Sequence, residues 1–98
     1  MIPNININEL LNMKNINIID IRSKEKYNDN HIPESINIPQ EKILTEPEKY
    51  LNKDKRYYLY CQKGMSSFNI CKILTKLGYK VTNINGGYES YIMNKRNQ

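Results

Sequence analysis

Cys61 is the residue of this chain best placed for chemistry. It follows the aromatic run Tyr57–Tyr60, and a short loop with Lys63 and Gly64 separates it from apolar residues at helical spacing. This pattern predicts a strand, a tight loop and the start of a helix. The unpaired N–H groups at a helix start bind anions and stabilise a thiolate. Cys61 is therefore a candidate nucleophile.

A cysteine in such a loop suits two kinds of reaction. In phosphoryl or arsenyl transfer the thiolate attacks a tetrahedral oxyanion, and in sulfur transfer it attacks a sulfane sulfur and becomes a persulfide. The first reaction normally uses a loop-terminal arginine, which binds the oxyanion through two hydrogen bonds. Ser66 and Ser67 stand where that arginine would be needed. The sequence favours sulfur transfer and leaves a thiol-dependent phosphatase or arsenate reductase as an alternative.

The residues after Cys61 form a candidate substrate-binding loop. Its members are Gln62, Lys63, Gly64, Met65, Ser66 and Ser67. We expect backbone N–H groups to stabilise a persulfide anion, and Lys63 to attract an anionic donor such as thiosulfate. The hydroxyls of Ser66 and Ser67 are expected to donate hydrogen bonds to the terminal sulfur or to donor oxygens. Gly64 allows the backbone to turn with a positive φ.

Strands alternate with helices along the chain. Asn6 and Glu9 fit a capping box, Ser23 fits an N-cap, and Pro47 fits a helix start. The predicted strands are 17–21, 36–38, 56–60 and 80–84. The predicted helices are one from Asn6 through Met13, one over 24–28, one or two within 40–51, one from Ser66 or Ser67 to Gly78, and one over 88–95. This alternation predicts an α/β fold with a parallel sheet covered on both faces.

Several polar residues and glycines follow the predicted strands directly. Asp20 and Arg22 lie at the end of the first strand, Cys61 follows the third, and Gly86-Gly87 follow the last. Open parallel sheets bind their ligands at the C-terminal ends of the strands. We therefore expect these residues to meet at one edge of the sheet.

Four short motifs occur in order over nearly the whole chain. They are Asp20-Ile21-Arg22 with Tyr27, the segment from Asn30-His31-Ile32-Pro33 to Ile38-Pro39, Tyr60-Cys61 with Gly64 and Ser66-Ser67, and Gly86-Gly87-Tyr88 with Tyr91. In this order and at these spacings the chain resembles the rhodanese (thiosulfate sulfurtransferase) homology domain in its single-domain form.

The resemblance implies both a fold and a reaction. It implies a three-layer fold with a central five-stranded parallel sheet and helices on both faces. It implies that Cys61 forms a persulfide in a ping-pong cycle, in which a donor loads the sulfur and an acceptor removes it. It also implies that Asp20 and Arg22 support the site through hydrogen bonds and charge.

The chain departs from the family pattern at a few positions. Asn30 replaces the usual glycine before His31, and asparagine tolerates left-handed backbone better than most residues. Ser35 replaces the usual alanine. Lys26 stands where an acidic residue is common, and Tyr91 stands where tryptophan is common. None of these changes removes the candidate nucleophile.

Two other residues with reactive side chains have structural interpretations. Cys71 falls on the apolar face of its predicted helix with Phe68 and Leu74, so we expect it to pack in the core. We expect the ring of His31 to hydrogen-bond to backbone. Two cysteines and one histidine do not show the spacing of metal ligands.

Composition limits the classes of function. The 98 residues suit one small domain spanning 1–98, and the net charge of +5 is spread along the chain without a basic stripe, which disfavours nucleic-acid binding. A basic surface attracts anionic substrates. Without a long apolar run or a signal-peptide pattern, we expect a cytoplasmic protein with reduced cysteines and no membrane contact.

The sequence therefore predicts a sulfurtransferase with no metal or organic cofactor. Cys61 would take sulfur from a small anionic donor such as thiosulfate and pass it to cyanide, a thiol or a protein cysteine. The main alternative is a persulfide carrier or docking module, which a desulfurase loads and which has little thiosulfate activity.

Overall fold

The computed structural model describes residues 2–97, which form one five-stranded sheet with helices on both faces. All of the strand pairings in this sheet are parallel. In the order β1-β5-β4-β2-β3, the strands are β1 (Asn4–Ile5), β5 (Lys80–Ile84), β4 (Arg56–Tyr60), β2 (Asn17–Asp20) and β3 (Ile36–Asn37). The predicted α/β fold is confirmed.

The helices lie close to where the sequence predicts them. Ser23 caps the second helix by accepting a hydrogen bond from the backbone N–H of Lys26, and Pro47 is the first residue of the fourth. The helices are α1 (Ile7–Leu11), α2 (Lys24–Asp29), α3 (Gln40–Thr45), α4 (Pro47–Tyr50), α5 (Met65–Lys76) and α6 (Gly87–Arg96). Within residues 2–97, no helix combines the length and the apolar content needed to cross a membrane.

The sheet separates two apolar cores, and β4 contributes to both. Tyr57 and Leu59 point to one face, whereas Tyr58 and Tyr60 point to the other, as the two-residue period of a strand requires. The first core contains Cys61 and is covered by residues of α3 and α5, and the second is covered by residues of α1 and α6. Cys61 therefore lies at the top of the first core, beside the first turn of α5.

The edge strand β1 was not predicted from the residue pattern. Asn4 and Ile5 pair with Asn83 and Ile84 of β5, and the backbone N–H of Asn83 donates to the carbonyl of Pro3 at 2.9 Å. Two residues are too few to show an alternating pattern. The strand forms because β5 offers backbone groups that need partners.

The predicted N-cap of α5 is wrong. The helix begins at Met65 and its N-cap is Gly64, rather than Ser66 or Ser67. An N-cap side chain usually accepts the backbone N–H of the third helical residue, which here is Ser67. That N–H donates instead to Cys61 Sγ at 3.3 Å. The sulfur of Cys61 thus takes the place of a capping side chain.

The predicted capping box of α1 is also wrong. Asn6 is the N-cap residue, but its side chain makes no capping hydrogen bond. Its Oδ1 instead accepts a hydrogen bond from Asn85 Nδ2 at 3.4 Å. The side chain is drawn away because β5 ends beside the start of α1, and the helix ends at Leu11 instead of Met13.

Candidate active site

The C-terminal ends of the strands bring the candidate residues together, as predicted. The first turn of α6 contacts the cysteine loop directly. The backbone N–H of Tyr88 donates to the carbonyl of Cys61 at 2.9 Å, and that of Glu89 donates to the carbonyl of Gln62 at 3.0 Å. Helix α6 therefore holds the backbone on which the candidate nucleophile sits.

Hydrogen-bond donors converge on the sulfur of Cys61. The backbone N–H of Gly64 donates to Sγ at 3.1 Å, and that of Ser67 at 3.3 Å. The side chain is buried with 7% exposure. Donors aimed at a sulfur at the start of a helix stabilise its negatively charged form. These two backbone N–H groups thus favour the thiolate form of Cys61.

Two glycines make this close packing possible. Gly64 has φ +97, as the sequence predicts, and a Cβ at this position would lie 2.9 Å from the backbone nitrogen of Gly86. Gly87 has φ +58, and a Cβ there would lie 2.3 Å from the carbonyl oxygen of Cys61. Neither space accepts a side chain, so both glycines are needed for the loop and α6 to meet.

The two serines of the loop have different environments. Ser66 is exposed and lines the cavity beside Cys61. Ser67 is fully buried, and its hydroxyl donates to Asn83 Oδ1 at 2.6 Å. Its proton is thus directed to Asn83 rather than to the Cys61 sulfur.

Sequence reasoning missed Asn83. It lies on β5 two residues after Val81, so it faces the same apolar core, and it is 2% exposed. A polar residue at an inward position of an apolar strand is the signal that identifies such a residue. Its partner Ser67 lies 16 positions earlier, which only the folded chain reveals.

Asp20 and Arg22 form a buried pair at the end of β2. Asp20 is fully buried, and Arg22 is 7% exposed. Nε of Arg22 donates to both carboxylate oxygens, and Nη2 donates to Oδ2 at 2.7 Å. Burial lowers the pKa of Arg22, but the hydrogen bonds and charge of Asp20 outweigh this effect and raise it. Asp20 is thus the carboxylate partner of Arg22.

The remaining contacts of Arg22 connect separate parts of the site. Nη2 also donates to the carbonyl of Asn30 at 2.7 Å, and Nη1 donates to Gln62 Oε1 at 3.2 Å. The guanidinium lies 4.1 Å from the centre of the Tyr88 ring, which is a cation–π contact. Arg22 therefore holds the loop, the end of α2 and the start of α6 against one another.

A cavity of about 350 Å³ opens beside Cys61. Lys26 lines it and also a neighbouring cavity of about 280 Å³, and it forms no ion pair within residues 2–97. Lys63, the expected cation of the site, is exposed and does not line either cavity. Residues lining the first cavity are Ile21, Arg22, Ser23, Lys26, Gln40, Glu41, Cys61, Gln62 and Ser66.

The structural interpretations of Cys71 and His31 are confirmed. Cys71 is fully buried in the first core, and burial raises the pKa of its thiol to about 12. His31 Nδ1 hydrogen-bonds with the carbonyl of Tyr27 at 2.8 Å, and its ring stacks on the Tyr27 ring.

Asn30 has φ −168, which is extended backbone, so replacing the usual glycine causes no strain.

The site and the fold agree with a known family. A parallel five-stranded sheet carries a cysteine loop between β4 and α5, and a glycine pair after β5 packs against that loop. The model of the rhodanese-like domain family matches residues 6–94. The chain therefore belongs to the rhodanese-like domain family.

Its relatives include sulfurtransferases. YtwF of Bacillus subtilis (strain 168), a predicted sulfurtransferase, is 40% identical over 72 residues, which are 71% of this chain and 67% of YtwF. Thiosulfate sulfurtransferase GlpE of Coxiella burnetii is 31% identical over 84 residues, which are 85% of this chain and 78% of GlpE. A rhodanese-related protein from Thermoplasma volcanium has a crystal structure that matches with a TM-score of 0.84 at 32% identity, over 94% of this chain and 92% of that one.

Proposed function

We propose that this protein is a sulfurtransferase in which Cys61 carries the transferred sulfur as a persulfide. The observation that carries the proposal is the environment of the Cys61 sulfur. It accepts hydrogen bonds from the backbone N–H groups of Gly64 and Ser67 at the start of α5, and Cys61 borders an open cavity. Family membership and the sulfurtransferase relatives support the same reaction.

The proposed reaction has two nucleophilic steps. The Cys61 thiolate attacks the outer sulfur of an anionic donor such as thiosulfate, the sulfur–sulfur bond of the donor breaks, and sulfite leaves with the bonding electrons. An acceptor such as cyanide or a thiolate then attacks the terminal sulfur of the persulfide, and Cys61 leaves as a thiolate. Neither step needs a general base once the thiolate exists.

Asp20 and Arg22 are proposed to position the loop. The carboxylate of Asp20 accepts hydrogen bonds from the backbone N–H, Nε and Nη2 of Arg22, and Arg22 in turn holds the side chain of Gln62. A guanidinium neutralised by a buried carboxylate does not provide a free positive charge to a substrate. The same geometry weighs against a phosphatase, because the loop has no arginine and Arg22 is already bound to Asp20.

The direct test is the intact mass of the reduced protein before thiosulfate, after thiosulfate and after cyanide. We expect a gain of one sulfur atom that peptide mapping assigns to Cys61 and that cyanide removes. A protein that gains no sulfur from thiosulfate but is loaded by a cysteine desulfurase would be the carrier instead. Hydrolysis of a phosphate ester without any sulfur gain would overturn both.

Lys26, rather than Lys63, is proposed to attract the anionic donor. Lys26 borders the cavity that contains Cys61, whereas Lys63 is exposed and lies outside the lining of that cavity. We expect Lys26→Gln to raise the KM for thiosulfate roughly two- to fivefold with little change in kcat, because an exposed charge contributes modest attraction. Steady-state kinetics at low ionic strength measure this effect.

Two variants serve as controls for Lys26. Lys63→Gln removes the same charge from an exposed lysine of the loop, and we expect a smaller change in KM. Glu41→Gln removes a negative charge from the lining of the same cavity, and we expect the KM for thiosulfate to fall. Equal effects at Lys26 and Lys63 would contradict this assignment.

A further inference from the structure

A chain of buried polar side chains leads away from the Cys61 sulfur. Ser67 Oγ lies 3.3 Å from Sγ and 2.6 Å from Asn83 Oδ1. Asn83 Nδ2 donates to Asn4 Oδ1 at 2.9 Å and to the carbonyl of Gly64 at 3.5 Å. Ser67 and Asn83 are almost completely buried, whereas Asn4 is exposed at the sheet edge.

The directions of these hydrogen bonds fit a protonated sulfur. A carbonyl oxygen cannot donate, so the 2.6 Å hydrogen bond uses the only hydroxyl proton of Ser67. Oγ therefore faces Cys61 with lone pairs and accepts the S–H of a thiol. When the thiol loses its proton to solvent, two electron-rich atoms face each other at 3.3 Å, which disfavours the thiolate.

Inverting the Asn83 amide reverses this arrangement without leaving a buried side chain unpaired. Nδ2 then donates to Ser67 Oγ, and the Ser67 hydroxyl is free to donate to the thiolate. Oδ1 then faces Asn4, whose exposed amide can turn and present its own N–H group. The inversion reverses the donors and acceptors of the 2.6 Å and 2.9 Å hydrogen bonds, and it gives up the 3.5 Å hydrogen bond to the Gly64 carbonyl, which is the longest of the three.

We infer that Asn83 is a positioning residue whose amide inverts with the protonation state of Cys61. In the thiol form Oδ1 of Asn83 accepts a hydrogen bond from the Ser67 hydroxyl. In the thiolate form Nδ2 donates to Ser67 Oγ, and the Ser67 hydroxyl then donates to Sγ. This inference rests on the proposed function, since it concerns the thiolate that attacks the donor.

The first test follows the Asn83 amide by NMR in the unmodified protein. Below the pH at which alkylation of Cys61 by iodoacetamide is half-maximal, we expect nuclear Overhauser effects between the Asn83 Nδ2 protons and the Asn4 side chain. Above that pH, we expect them between the same Nδ2 protons and the β protons of Ser67. An unchanged pattern on both sides of the midpoint would overturn the inference, and no variant needs to fold for this result.

The second test measures the pH profile of Cys61 alkylation, with the modified peptide identified by mass. Asn83→Asp supplies oxygens that only accept, so the Ser67 hydroxyl stays directed away from Sγ. We expect the half-maximal pH to rise by about one unit. Asn85→Asp adds the same charge at an exposed site two residues further along, and we expect a much smaller rise.

A third variant separates the hydrogen bond from the charge. In a Ser67→Ala background there is no hydroxyl to direct, so Asn83→Asp should shift the half-maximal pH by no more than the through-space effect of its charge. The inference would be overturned if Asn83→Asp raised the half-maximal pH of alkylation no more than Asn85→Asp does. It would also be overturned if Asn83→Asp gave its full rise in the Ser67→Ala background. Alkylation needs no sulfur donor, so failure of sulfur transfer in the mass test is a separate result.

Discussion

We expect Cys61→Ser to abolish the gain of sulfur from thiosulfate and to lower the rate of sulfur transfer by about three orders of magnitude or more. A serine hydroxyl is not deprotonated at neutral pH and forms no persulfide, so the pathway through the covalent intermediate is closed. Intact mass measures the first effect, and thiocyanate formation from thiosulfate and cyanide measures the second. This is the largest effect on activity that the proposed mechanism predicts.

The matched control is the same substitution at the other cysteine. Cys71 is fully buried in the first core, and its thiol is far from ionising at neutral pH. In Cys71→Ser the new hydroxyl lies within α5, where it can donate to the carbonyl four residues earlier. We expect sulfur loading to be retained with a stability cost of about 1 kcal/mol. Sulfur transfer that survives Cys61→Ser would contradict the proposed mechanism.

Gly87→Ala has the largest expected effect on stability. The added Cβ would lie 2.3 Å from the carbonyl oxygen of Cys61 and 3.0 Å from the carbonyl of Gln62, and both are backbone atoms. The positive φ of +58 adds the strain of a left-handed residue. We expect a decrease of about 3 kcal/mol in the free energy of unfolding, measured by urea denaturation. Sulfur transfer should fall even where the protein is folded, because the loop must shift to make room.

Gly78→Ala separates the clash from the backbone strain. Gly78 also has a positive φ, of +98, but the atoms nearest to a Cβ there belong to the flexible side chain of Lys53, at 3.6 Å. We expect a cost of about 1 kcal/mol and normal sulfur loading. If the two variants were equally destabilised and both kept full activity, close packing of α6 on the loop would not matter for function.

These predictions share one structural feature, which is that the cysteine loop is held from two sides. Arg22 holds the side chain of Gln62, and the first turn of α6 donates backbone hydrogen bonds to the carbonyls of Cys61 and Gln62. The N–H groups of the loop are therefore fixed before a substrate arrives. Fixed donors do not have to reorganise when negative charge develops on sulfur, which makes them effective in catalysis.

The fold class was predictable because most elements carry local signals. The strand before Cys61 is apolar and aromatic, Ser23 caps α2, and Pro47 begins α4. These signals depend on neighbours in the chain, so sequence reasoning identifies them. The two-residue strand β1 carries no such signal and forms only by pairing with β5.

The candidate site was predictable in position but not in its contacts. Asp20 and Cys61 fall at strand ends, and parallel strands place those ends on one edge. The sequence did not reveal that the sulfur caps α5, because a cysteine is not a usual capping residue. Nor did it reveal which lysine borders the cavity, because that depends on how α2 sits against the loop.

The sequence by itself determined the α/β architecture, the cysteine at the end of β4 and the positive φ of Gly64 in its loop. Those features follow from residue type and short-range spacing. Only the tertiary structure decided that Ser67 donates to Asn83 and that Arg22 holds Gln62. Each of those hydrogen bonds joins residues that are far apart in the chain, so it depends on strand register and helix packing that no local pattern encodes.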